Sequence, residues 1–96
     1  MGIEDILKAR RDEILEIAKR HGATQVRVFG SVARGEARED SDVDFLVRPG
    51  AKTSPWFPAG LVLDLQDLLG RKVDVVTEGG LHWYIRDRIL NEAIPL

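Results

Sequence analysis

At 96 residues the chain lies at the small end of the range for a folded domain, and one domain spanning residues 1–96 is expected. A hydrophobic share of 44% with 31% charged residues suits a modest core under a solvated surface and excludes disorder. The net charge of −2 argues against autonomous binding to nucleic acid, and the lack of cysteine removes disulfides and thiolate metal sites.

With His21 and His82 as the two imidazoles, hard oxygen ligands favour Mg²⁺ or Mn²⁺ over zinc. No stretch approaches 18 apolar residues, and the start carries no basic region followed by an apolar run. The expectation is a cytoplasmic protein with no membrane span.

In chain order, Ile3, Ile6, Leu7, Ile14, Ile17 and Ala18 recur at helical spacing, and Gly22 supplies the stop after the basic last turn Lys19, Arg20 and His21. Gln25 to Phe29 reads as a short strand, broken by Gly30-Ser31. Val32 to Arg38 is expected to hold a short helix, and Glu39-Asp40-Ser41 a turn. Val43, Phe45 and Val47 then alternate with Asp42, Asp44 and Leu46, a strand with acids on one face. After a loop over 48–56, Leu61, Leu65, Leu68 and Leu69 form a helical stripe, with Pro58 at its first turn and Gly70 at its end. Lys72 to Val76 is a third strand, and Leu81 to Glu92 a last helix stopped by Pro95. Three strands and three helices make a small α/β domain whose helices must cover at least one sheet face.

The chemistry concentrates in the middle of the chain. Residues i and i+2 of a strand share a side, so Asp42 and Asp44 are parallel neighbours. Two like charges so placed are unfavourable unless a cation or proton sits between them, and bound Mg²⁺ resolves the conflict. A lone Asp-x-Asp is more often a solvated strand face. Here the pair opens the apolar run Phe45-Leu46-Val47, and Asp74 repeats the pattern inside Val73, Val75 and Val76. One strand upstream, Gly30 permits a tight backbone path that lets main-chain N–H groups approach phosphate oxygens, and Ser31 adds a hydroxyl.

Gly30-Ser31, a ten-residue spacer, Asp42-x-Asp44 and the later Asp74 together resemble the signature of the DNA polymerase beta-like nucleotidyltransferase superfamily. The fuller text Gly-Ser-Val-Ala-Arg-Gly-Glu-Ala with Ser-Asp-Val-Asp-Phe-Leu-Val is similar to its minimal nucleotidyltransferase branch, and the likeness runs on through 68–76 and 89–96. The resemblance implies an α+β palm-like fold with a three-stranded mixed sheet and three to four helices. It implies that Gly30, Ser31, Arg34 and Ser41 bind nucleotide, and that Asp42, Asp44 and Asp74 are catalytic and hold two Mg²⁺ ions. ATP would be the substrate, its AMP passing to a hydroxyl, a tyrosine by family analogy, on a HEPN-type ribonuclease toxin encoded nearby. The chain would then act as an antitoxin. Two other readings stand beside it: a non-catalytic module of the same fold that neutralises its partner by binding, and a small-molecule nucleotidyltransferase.

Several residues keep two readings. Arg34 and Arg38 are phosphate contacts or exposed charges beside Glu36 and Glu39, and Trp56 and Phe57 line a nucleotide pocket or pack against the core. On the last helix, Leu81, Ile85 and Ile89 form a stripe for the sheet. Trp83, Leu90 and Ile94 form a second stripe, which is either an interface or a deeper part of the core.

Overall fold

The computed structural model describes residues 2–96. Two helices open the chain, α1 (Ile3–Ala9) and α2 (Arg11–Arg20), where the apolar spacing predicted one. Arg10 separates them with φ −104° and ψ 11°. Its N–H still donates to the Ile6 carbonyl, and the Ile14 N–H donates to the Arg10 carbonyl, so the break is a bend in a nearly continuous hydrogen-bond ladder. The chain then runs through β1 (Ala23–Phe29), β2 (Val43–Pro49), α3 (Ala59–Leu69), β3 (Val73–Thr77), a 3₁₀ turn at Glu78–Gly80, α4 (Trp83–Glu92) and β4 (Ile94–Pro95).

The strands form one mixed sheet in the order β3-β2-β1-β4. β2 is antiparallel to β1 and parallel to β3, with α3 as the crossover between the two parallel strands. The fourth strand corrects the expected count of three. Ile94 and Pro95 pair with Val28 and Arg27, and the Leu96 N–H donates to the Val26 carbonyl. Proline stopped α4 as expected, yet it is tolerated in this edge strand, where a missing donor costs little.

One sheet face and helices α1–α3 enclose the core. Val26 and Val28 of β1, Val43, Phe45 and Val47 of β2, and Val73 and Val75 of β3 pack there against Ile14, Leu61 and Leu65. Phe45, Ile14 and Leu61 are completely inaccessible, and burying such a side chain is worth about 1.5–3 kcal/mol. Gly70 closes α3 in the left-handed conformation (φ 64°), as its position predicted. His21, at the end of α2, bridges to the α3 side: Nδ1 lies 2.7 Å from Ser54 Oγ and Nε2 lies 2.6 Å from Asp64 Oδ2.

The other sheet face carries Asp44, Leu46, Arg27 and Val76, with Arg27 opposite Leu46 and Leu46 beside Val76. Leu46 and Ile89 of α4 are buried but stand outside the main core cluster. Of the predicted packing stripe on α4, Ile89 is buried while Ile85 is exposed. Trp83 (79% accessible) and Ile94 (51%) of the second stripe are exposed, which rules out the deeper-core reading for both. Among the described residues no helix is long and apolar enough to cross a membrane.

Candidate active site

Strand pairing assembles the acids. Asp44 lies beside Asp74 in the parallel β2–β3 register and opposite Phe29, the last residue of β1. Partners in register share a face, so the two carboxylates project together from the side away from the main core. Asp42 stands just before the first residue of β2, a correction to its placement within a strand, although it remains near enough to act electrostatically on Asp44.

Gly30 follows β1 with φ 74°, a conformation that disfavours any side chain. It is also sterically committed: a Cβ at this position would lie 2.3 Å from Asp44 Oδ2. The turn backbone therefore presses directly on the half-buried carboxylate. Residues 32–38 do not form the expected helix. The chain makes one turn, with the Arg34 N–H on the Gly30 carbonyl and the Glu36 N–H on the Ser31 carbonyl. Gly35 at φ 72° then ends it. Among the described residues the N–H groups of Ser31, Val32 and Ala33 have no acceptor, and the Ser31 hydroxyl has no partner. Three consecutive open N–H groups beside a carboxylate cluster are donors of the kind that hold phosphate oxygens.

None of Asp42, Asp44 and Asp74 accepts a hydrogen bond among the described residues, and the nearest cation is Lys72, with Nζ 3.9 Å from Asp42 Oδ2. Burial, then the charges of Asp74 and Asp42, pushes the Asp44 carboxyl from its ordinary 3.8 up to about 6, against the opposing pull of Arg34. The acids thus form a concentration of negative charge that Lys72 and Arg34 compensate only in part. Among the described residues no three such side chains converge into a closed metal cage. Mg²⁺ seldom uses one: it takes one or two carboxylates and completes its shell with water and substrate phosphates. The donor set fits that open arrangement.

The other predicted residues are distributed as follows. Arg34 lies on the turn, with Nη1 donating to Glu92 Oε1 (2.6 Å) and Nε to Glu36 Oε2 (3.1 Å). Ser41 Oγ accepts the Arg38 N–H at 2.8 Å and closes the loop leading to Asp42. The Arg38 carbonyl accepts from Arg71 Nη1 at 3.1 Å. Phe57 packs against the core, whereas Trp56 is 88% accessible, so the packing reading holds for one of that pair. His82 caps α4, its Nδ1 accepting the Tyr84 N–H.

Sequence reasoning missed Glu92. The last residue of α4 places Oε2 2.8 Å from the Gly30 nitrogen while Oε1 holds Arg34. Burial pushes its carboxyl up, but hydrogen bonds from Arg34 and Gly30 outweigh that and hold it below the usual range. The contact spans 62 residues, and no local spacing signals it.

An apolar groove of about 490 Å³ lies between α1, the Gly30 turn and β4, is lined by Leu7, Arg11, Val28, Val32, Arg34 and Leu96, and contains none of the three acids. The acid face is open and charged, and a hydrated metal with a triphosphate needs donors more than apolar enclosure.

Comparison with known proteins shows the family and the fold. Residues 11–96 match the nucleotidyltransferase domain. The protein adenylyltransferase MntA of Thermococcus cleftensis is 40% identical over 94 residues, covering 96% of this chain and 90% of that protein. A solved minimal nucleotidyltransferase structure is 53% identical and superimposes with a TM-score of 0.85, covering 100% of this chain and 97% of the other. A toxin–antitoxin crystal structure with AMP-PNP shares the fold at 17% identity, with a TM-score of 0.74 over 88% of this chain and 69% of that one.

Proposed function

The chain belongs to the nucleotidyltransferase domain family, and from that membership we propose that it transfers AMP from ATP to a hydroxyl of a protein toxin, acting as its antitoxin. The observation that carries this reading is the in-register pair Asp44–Asp74, with Gly30 held against Asp44 and open N–H groups on the turn beside it. A relative named as a protein adenylyltransferase supports the protein acceptor. The shared fold of a toxin–antitoxin structure containing AMP-PNP supports the partner class and the nucleotide. The HEPN identity of the toxin and a tyrosine as acceptor follow from the resemblance to minimal nucleotidyltransferases.

In this reading the acceptor oxygen attacks the α-phosphorus, the bond to the bridging oxygen breaks, and pyrophosphate departs with that electron pair. The N–H groups of Ser31, Val32 and Ala33, the Ser31 hydroxyl and Arg34 hold the β- and γ-phosphates, the donors being fixed before the charge arrives. Asp42, Asp44 and Asp74 hold Mg²⁺, which when bound would neutralise charge on the triphosphate and lower the pKa of the attacking hydroxyl. Asp74 is the more accessible carboxylate of the in-register pair and takes the hydroxyl proton. Asp44, packed against Gly30, would keep its metal-binding oxygen in a fixed place. Ser41 orders the loop that carries Asp42 through its bond to the Arg38 N–H.

The test is transfer of label from α-³²P-ATP with Mg²⁺ to the protein encoded by the neighbouring gene, with Asp42→Asn/Asp44→Asn run in parallel. Label on the neighbour with wild type and none with the variant supports the reading. A stable complex with no label in either case would replace it with neutralisation by binding.

A further inference from the structure

Glu92 belongs to a helix that the chemistry above does not use, yet its carboxylate is fixed at both oxygens. One accepts the Gly30 N–H at 2.8 Å and the other the Arg34 Nη1 at 2.6 Å. The side chain is 15% accessible, so the pair with Arg34 is shielded on the glutamate side and open on the arginine side, where Arg34 is 44% accessible. Charge-assisted hydrogen bonds in such a setting are the strong ones, and two of them on one carboxylate define an orientation as well as an attraction.

The geometry points to Glu92 as a positioning residue for the triphosphate, tying the phosphate-binding turn to α4 and aiming Arg34 at the nucleotide. This rests on the nucleotidyltransferase reading of the same site. Three features of the structure support it. Glu92 takes the Gly30 N–H and leaves the next three N–H groups, on Ser31, Val32 and Ala33, open. A carboxylate competing with phosphate would be expected on those groups instead. Arg34 is gripped at Nη1 by Glu92 and at Nε by Glu36, so Nη2 remains free to meet a phosphate oxygen with the guanidinium plane already set. Finally, the tie is mechanically backed: Ala93 follows Glu92 directly, and the next residues, Ile94 and Pro95, pair with Val28 and Arg27 of β1. The carboxylate is therefore anchored to the strand that leads into Gly30. A donor array held in place before binding gains affinity because less ordering remains to be done when the ligand arrives.

The two oxygens can be separated chemically. Glutamine has one carbonyl oxygen, so Glu92→Gln retains one of the two bonds and turns an N–H₂ group toward the other donor. Glu92→Ala loses both.

The experiment is calorimetric titration of the full chain with AMP-PNP and Mg²⁺, with circular dichroism confirming the fold of each variant. Glu92→Ala is expected to weaken binding about tenfold or more at unchanged stoichiometry, and Glu92→Gln by an intermediate factor. In an Arg34→Ala background, Glu92→Gln should change affinity less than twofold. Transfer at saturating ATP should fall much less than the affinity does. A merely structural role would instead lower the binding-competent fraction and leave the affinity of the remainder intact, and that result overturns the inference. Equal or tighter binding by both variants also overturns it, by showing the carboxylate to be idle or a competitor of phosphate. No binding by the wild-type chain would overturn the nucleotidyltransferase reading and the inference with it.

Discussion

Replacing Asp44 with asparagine should stabilise the nucleotide-free protein while abolishing its activity. The folded state holds a proton on Asp44 more tightly than the unfolded chain does, because burial and the neighbouring charges of Asp74 and Asp42 raise its pKa from 3.8 to about 6. Between those values the folded state binds more protons, so stability falls as pH rises through this window, and the full penalty applies above about pH 6. The shift corresponds to roughly 3 kcal/mol before screening. Asp44 is only half-buried, and solvent screening reduces the figure to on the order of 1–2 kcal/mol. Asparagine has nearly the same shape, fits against Gly30, and carries no charge at any pH. For a domain of this size, each kcal/mol moves the melting temperature by about 4–8 °C. Thermal unfolding followed by circular dichroism at pH 7.5 with chelator should therefore show Asp44→Asn melting roughly 4–16 °C above wild type. The difference should shrink toward zero as pH falls toward 4. A variant less stable than wild type at pH 7.5, or a gain independent of pH, would refute the electrostatic account.

Gly30→Ala should lose about 1–3 kcal/mol and transfer activity together, because the new Cβ enters a left-handed conformation and meets Asp44 Oδ2. Urea denaturation and the label assay would check both, and full activity in the Gly30→Ala variant would contradict the geometry. His21→Ala should cost about 1–2 kcal/mol by releasing Ser54 and Asp64, lowering the urea midpoint at constant slope while leaving AMP-PNP affinity unchanged. Trp83→Ala with Leu90→Ala should change stability by no more than about 1 kcal/mol, since Trp83 is largely exposed, but should weaken binding of the proposed toxin partner in a pull-down. Global unfolding of that double variant would show that α4 serves the core instead.

Much of the site could be read from local patterns. Alternation along 42–47 and 73–76 put Asp44 and Asp74 on apolar strands, though it wrongly included Asp42, and the register of β2 with β3 then brought Asp44 to Asp74. Gly30 was recognisable as a turn residue, though its contact with Asp44 depends on where β1 ends relative to β2. Local patterns failed where tertiary pairing or a single dihedral decided the outcome. Nothing in the apolar spacing of 3–18 marks the bend at Arg10, because the stripe continues across it. Residues 32–38 have helical composition, but Gly35 at positive φ stops them after one turn. β4 exists only because β1 offers an edge to Ile94 and Pro95. Glu92 reaches the site from the end of α4, and a contact across 62 residues leaves no trace in a periodic pattern.

The most direct test of the central claim is the intact mass of the proposed toxin partner, the protein encoded by the neighbouring gene, after incubation with this chain, ATP and Mg²⁺. The proposed chemistry predicts a mass gain equal to whole AMP units, absent with Asp44→Asn and absent without ATP. An unmodified toxin held in a stable complex with the wild-type chain would contradict it.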